Sequence, residues 1–231
     1  MTADLVFLLD VDNTLLDNDR IAADLRAHLE REFGVAGADR YWAIFESLRA
    51  ELGYADYLGA LQRYRPEVET GGSAAHRLLS LSSFLIDYPF AERLYPRALA
   101  LVAHLGRIGT TVILSDGDVV FQPRKVQRSG LWDVVAGRVL IYVHKEKMLA
   151  SIERCHPARR YVLVDDKLRV LAAMKALLGE RLVTVFPRQG HYANDPALLA
   201  RYPAADVSVE RVGDLLERDP ASWLDAIQEI S

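Results

Sequence analysis

DLVFLLDVDNT, residues 4–14, is the stretch from which the rest of the chain is read. Its apolar run, Leu5–Leu9, is unbroken rather than alternating and too short for an ordinary helix. Such a run fits a strand buried on both faces of a sheet. It stops at Asp10, and polar Asp12, Asn13 and Thr14 follow. In open parallel sheets ligands bind just outside the carboxyl ends of the strands, so these acids stand where chemistry is expected.

Outward from this strand the rhythm changes. Ile21, Leu25, Leu29 and Phe33 recur every four residues, and Gly34 follows where a helix C-cap glycine belongs. Helical character continues through residues 41–64 and 74–86, with no convincing strand anywhere in 17–92. A helix around 98–105 then leads into the β-branched strand Thr110–Leu114, which stops at Ser115, Asp116, Gly117 and Asp118. Val139–Val143 reads as a strand and Lys145–Cys155 as a helix. Tyr161–Val164 is a strand running into Asp165 and Asp166; Leu168–Leu178 is a helix, and Leu182–Phe186 and Val207–Val209 are strands. Strands alternating with helices predict an α/β fold, a Rossmann-like parallel sheet sandwiched by helices. The predicted core comprises residues 1–16 and 93–231, and residues 17–92 form a smaller, all-helical inserted domain.

Composition excludes several classes. The chain has 231 residues, 51% of them hydrophobic, and a net charge of −4, which argues against disorder and gives no electrostatic support for a nucleic-acid partner. No segment approaches the ~20 apolar residues of a membrane helix, so no membrane partner is expected. A single cysteine, Cys155, leaves no disulfide framework or multi-cysteine zinc site and points to a reducing cytoplasm. The run Leu5–Leu9 lacks the basic flank and the length of a signal peptide.

The predicted strand ends deliver Asp10 and Asp12, Ser115, and Asp165 and Asp166 to one rim, with Lys145 and Lys147 just beyond another strand. Packed carboxylates repel unless a cation compensates, and an oxygen-rich cluster suits magnesium rather than zinc or copper. One carboxylate of the Asp10/Asp12 pair can attack while the other protonates a leaving oxygen and later deprotonates water.

Asp10-Val-Asp12-Asn-Thr14, the strand-terminal Ser115 in VILSDGD, a lysine in VHKEK and YVLVDD ending at Asp166 resemble, in that order, the four motifs of the haloacid-dehalogenase-like superfamily. The resemblance implies a helical cap for residues 17–92 and a magnesium-dependent phosphatase acting on a small phosphorylated metabolite. It implies Asp10 as nucleophile, Asp12 as general acid/base that also offers its backbone carbonyl to Mg2+, and Ser115 as a phosphoryl hydrogen-bonding group. Asp166 falls at the usual metal-ligand position, and Asp165 joins it as a second. Lys145 or Lys147 would pair with nucleophile and phosphate; Lys145 directly follows the strand and fits better. Asp116, Gly117, Arg188 and His191 are candidate substrate contacts. True dehalogenases of the superfamily lack an acid at the Asp12 position, so Asp12 favours phosphate esters.

A phosphomutase could use the same residues, and a low-turnover binding or regulatory protein is a further alternative, although it gives no reason to keep four repelling carboxylates. Gln122, Arg124 and Lys125 could reach a phosphate or an anionic substrate but read rather as exposed helix positions; Lys167 and Arg169 read as solvated helix residues, with Lys167 an alternative for the site cation, and the aromatics of 41–64 read as packing for the inserted domain. Residues 17–95 carry nine basic and thirteen acidic side chains, so that segment offers no obvious lure for an anion.

Overall fold

A computed structural model of the chain describes residues 2–68 and 74–219. Six parallel strands form its sheet: β1 (Ala3–Leu9), β2 (Thr110–Asp116), β3 (Val139–Tyr142), β4 (Ala158–Val164), β5 (Leu182–Pro187) and β6 (Val207–Val209). Their order is β3-β2-β1-β4-β5-β6, with β1 and β4 paired at the centre. The unbroken apolar run of β1 is explained by burial on both sides. Phe7 and Leu9 join one hydrophobic cluster, while Val6 and Leu8 join the other. Val162 and Val164 of β4 divide from Tyr161 and Leu163 in the same way.

After β1 the chain enters α1 (Asn18–Leu52), α2 (Tyr57–Val68) and α3 (Ala74–Asp87). Asp17 caps α1 by accepting the Arg20 backbone N–H at 2.9 Å. Ile21, Leu25 and Leu29 are buried, as their spacing predicts. Gly34 takes φ 73°, ψ 172°, a left-handed conformation that favours glycine, and breaks the helix into two arms. The chain turns there and resumes as helix, which is why a terminator reading of Gly34 is right locally but does not end the element. Tyr41, Phe45, Tyr57 and Tyr64 are buried among these helices, in a cluster continuous with one face of the sheet.

α4 (Ala98–Leu105) leads into β2, and the remaining helices follow the strands: α5 (Phe121–Arg128), α6 (Leu131–Val134), α7 (Leu149–Cys155), α8 (Leu168–Leu178), α9 (Gly190–Ala193) and α10 (Pro196–Arg201). The stretch read as one helix from Lys145 begins instead as a 3-10 turn, Lys145–Lys147, with α7 starting at Leu149. The parallel six-stranded sheet with flanking helices and a helical cap is the α/β fold read from the sequence. Among the described residues no helix is long and apolar enough to cross a membrane.

Candidate active site

Strand register assembles the acids. Leu9 lies opposite Val164, so Asp10 and Asp165, each the next residue, emerge side by side, and the Asp10 N–H donates to the Val164 carbonyl at 3.0 Å. Thr14 ties the two loops together: its Oγ1 accepts the Asp166 N–H at 3.0 Å. Carboxylate oxygens of Asp10, Asp165 and Asp166 lie within 4.8 Å of one another, all buried.

Lys145 is the cation among them. Wholly buried, its ammonium pairs with Asp10 Oδ1, lies 2.7 Å from Asp165 Oδ2 off the hydrogen-bonding direction, and donates to the Leu114 carbonyl at 3.2 Å. Burial opposes its charge, but Asp10 and Asp165 outweigh it and raise its pKa. Lys147 is exposed at the rim of the adjoining cleft, so geometry separates the two lysines that sequence left open. Asp116 sets the Lys145 turn, its Oδ1 accepting the Lys145 N–H at 2.7 Å.

One lysine does not balance three acids. Asp10 Oδ2 and both oxygens of Asp166 are buried without a hydrogen-bond partner among the described residues. Burial, opposed by Lys167 and reinforced by Asp165 and Asp10, pushes the Asp166 carboxyl well up. Asp165 is raised by the same desolvation, which Lys145 only partly offsets. Orphaned hard oxygen donors this close together fit a divalent cation such as magnesium. Asp12 contributes no side-chain oxygen to this cluster.

The Asp12 carboxylate instead faces α5. Lys125 Nζ lies 2.7 Å from its Oδ1 and 3.0 Å from Asn18 Oδ1, and Gln122 Nε2 reaches Asp12 Oδ2 at 3.4 Å. Gln122 also donates to Ser115 Oγ at 2.9 Å. The hydroxyl proton of Ser115 has only a 3.5 Å contact to the Asp116 carbonyl, which leaves it able to donate elsewhere. Gln122 and Lys125 are three apart on one face of α5, and both are buried rather than exposed. Asp118 aims that face by accepting the Val120 and Phe121 N–H groups at 2.8 and 2.6 Å. The spacing of Gln122 and Lys125, on a helix entered directly from a site-bearing strand, is the signal that could have found them.

Lys167 departs from the solvated-helix reading and stands nearer the alternative one, a cation of the site. It is half-buried, and Asp166, Asp10 and Asp165 raise its pKa against the effect of burial. Its ammonium sits 5.5 Å from the centre of the Tyr192 ring.

The other candidates scatter. Gly117 borders a second, shallower depression of about 330 Å3. Arg188 is not among the residues lining the cleft and lies 3.7 Å from Glu210. His191 Nδ1 lies 2.7 Å from Asp19 Oδ1, tying α9 to the start of α1. The cleft itself has a volume of about 520 Å3 and opens beside Asp12 and Asp166.

The haloacid dehalogenase-like hydrolase family matches residues 5–177. A haloacid dehalogenase-like hydrolase from Burkholderia xenovorans LB400 is 67% identical, with 96% of this chain and 98% of that one covered and a TM-score of 0.87. An HAD-hydrolase from Bacillus subtilis, bound to magnesium, shares the fold at 15% identity, with 94% and 98% covered and a TM-score of 0.59. The L-2-haloacid dehalogenase of Xanthobacter autotrophicus does so at 21% identity, with 100% of both chains covered and a TM-score of 0.53. No curated protein matches the chain.

Proposed function

Because the chain belongs to the haloacid dehalogenase-like hydrolase family, we propose that it is a magnesium-dependent phosphatase that hydrolyses a small phosphorylated metabolite through an aspartyl-phosphate on Asp10. The observation that carries this reading is Asp12, a carboxyl group beside the buried acids and held by Lys125 and Gln122. Halide departure needs no proton, whereas an alkoxide leaving group does.

In the proposed reaction an Asp10 oxygen attacks phosphorus and the ester P–O bond breaks. Asp12 gives its proton to the departing oxygen. Water then attacks the aspartyl-phosphate phosphorus while Asp12 takes the water proton. The bond from Asp10 to phosphorus breaks, releasing phosphate and restoring the carboxylate. Lys145 holds Asp10 in place and offsets the charge that opposes an anion approaching a phosphate. Ser115 supplies a hydroxyl donor to a phosphoryl oxygen. Asp10, Asp165 and Asp166 would hold Mg2+, with the Asp12 carbonyl as a further donor; when bound, the ion neutralises charge on the transferring group.

The helices of residues 17–92 serve in this reading as a cap domain over the core of 1–16 and 93–231. The exposed, unpaired Cys155 suits a reducing cytoplasm. Hydrolysis of 4-nitrophenyl phosphate tests the reading: turnover should require magnesium, stop with EDTA and be absent in Asp10→Asn. Turnover that survives EDTA and Asp10→Asn would remove its basis. Isomerised sugar phosphate without net phosphate release would favour a phosphomutase instead.

A further inference from the structure

The charges lining the cleft divide into those already matched and those left over. Asp12 is matched by Lys125, Glu146 by Arg169, and Asp116 accepts the Lys145 N–H. Asp166 belongs to the carboxylate cluster that suits a cation, and Lys167, also on the cleft wall, faces that cluster. Lys147 has no ion-pair partner among the described residues. Arg49 has only a 3.7 Å contact to exposed Glu46, and its Nη2 donates to Tyr192 Oη at 2.8 Å, which fixes the guanidinium at the cleft wall.

These two cations flank one junction. Gly53, with φ 80°, closes α1, and a Cβ there would lie 2.8 Å from the His144 ring. Arg49 is one helical turn before Gly53, whose N–H donates to the Arg49 carbonyl at 2.9 Å. Lys147 is one turn after His144, donating its N–H to the His144 carbonyl at 2.9 Å. The end of α1 therefore rests on the turn that carries Lys145 and Lys147. Although the net charge of 17–95 is negative, this part of it brings a positive group to the cleft. Tyr54, Leu168, Phe186, Leu199 and Tyr202 add an apolar and aromatic lining. A cleft of about 520 Å3 is the size of a small-molecule site.

We propose that the cleft takes a phosphate monoester whose apolar or aromatic frame carries a second oxyanion, which Arg49 and Lys147 hold. This rests on the phosphatase reading above. A guanidinium fork and an ammonium lining one cleft suit either carboxylate or phosphate as that second group.

The test compares phenyl phosphate with 4-carboxyphenyl phosphate and 1,4-phenylene bisphosphate, with magnesium present, in the full chain. At least one ester that carries a second oxyanion should exceed phenyl phosphate by about tenfold or more in kcat/KM, and which one does so identifies the second group. That ratio should fall toward one in Lys147→Gln and in Arg49→Gln, and stay unchanged in Arg154→Gln, an exposed cation outside the cleft. Equal kcat/KM for all three esters overturns the inference and leaves the phosphatase reading standing. A preference undiminished in both Lys147→Gln and Arg49→Gln overturns it as well. No hydrolysis of any ester overturns the phosphatase reading, and the inference falls with it.

Discussion

The Lys125 ammonium lies 2.7 Å from Asp12 Oδ1, and the same group reaches Asn18 Oδ1 at 3.0 Å. A buried lysine on α5 thus fixes the carboxyl group assigned to proton transfer, and also ties it to the first residue of α1. Replacing Lys125 by Met leaves Asp12 in the site with only the long 3.4 Å Gln122 contact to hold its carboxylate. We expect kcat to fall by about 10–100-fold with KM nearly unchanged, since the interaction lost matters when the proton moves. Steady-state kinetics check this; a rise in KM alone, at full kcat, would assign Lys125 to binding instead.

Asp166 should show the opposite balance between stability and activity. Both its carboxylate oxygens are buried without a hydrogen-bond partner among the described residues, next to two other acids, so the metal-free protein carries repulsion that Asn would relieve. Asp166→Asn is expected to raise the metal-free melting temperature by a few degrees, an effect on the order of 1 kcal/mol. The wild type should gain further stability from added Mg2+, and Asp166→Asn should gain little. Thermal unfolding with EDTA and with magnesium reads both effects, and equal magnesium shifts in the two proteins would contradict the ligand assignment.

Acid sensitivity has a source away from the site. Asp206 Oδ2 accepts from the Thr184 N–H at 2.8 Å, the Thr184 hydroxyl at 2.8 Å and Lys175 Nζ at 2.9 Å, binding the approach to β6 onto β5. Burial works against its charge, but Lys175 and Thr184 outweigh it and hold the carboxyl below its ordinary 3.8. A lowered folded pKa stabilises fully above the unfolded value, and that contribution is lost as pH falls through the folded one. Asp206→Asn should therefore cost about 1–3 kcal/mol near neutrality. The difference should shrink as pH drops below 3.8, which urea unfolding across that range would show.

Much of this architecture is legible in the chain because burial on two faces writes unbroken apolar runs. Leu5–Leu9 and Leu182–Phe186 announce their strands, and the acids that follow β1 and β4 mark the rim. β4 starts earlier than its apolar run because Ala158 and Arg160 pair with Ala3 and Leu5 of β1 near the edge of the core, where the Arg159 side chain between them reaches water. Helical periodicity finds α8 to the residue, yet it says nothing of Lys125 or Gln122. A short helix with few apolar positions gives no sign that its polar face turns inward. Lys167 is marked in the sequence only as an alternative to Lys145, for a related reason: the acids it faces come from β1 and β4 ends, a proximity set by register rather than by spacing. Arg188 and His191 both follow β5, one in the connection and one on the single turn of α9, but Arg188 turns to Glu210 and His191 to Asp19. So short a stretch carries no periodic signal from which those directions could be read.

The central claim is that the phosphoryl group passes through Asp10. Mass spectrometry of the protein, acid-quenched during turnover of 4-nitrophenyl phosphate with magnesium, tests it most directly. One phosphoryl group on the peptide containing Asp10, accumulating in Asp12→Asn if breakdown slows more than formation and absent in Asp10→Asn, is the predicted result. Full turnover with no phosphoryl group ever found at Asp10, and undiminished in Asp10→Asn, would contradict it.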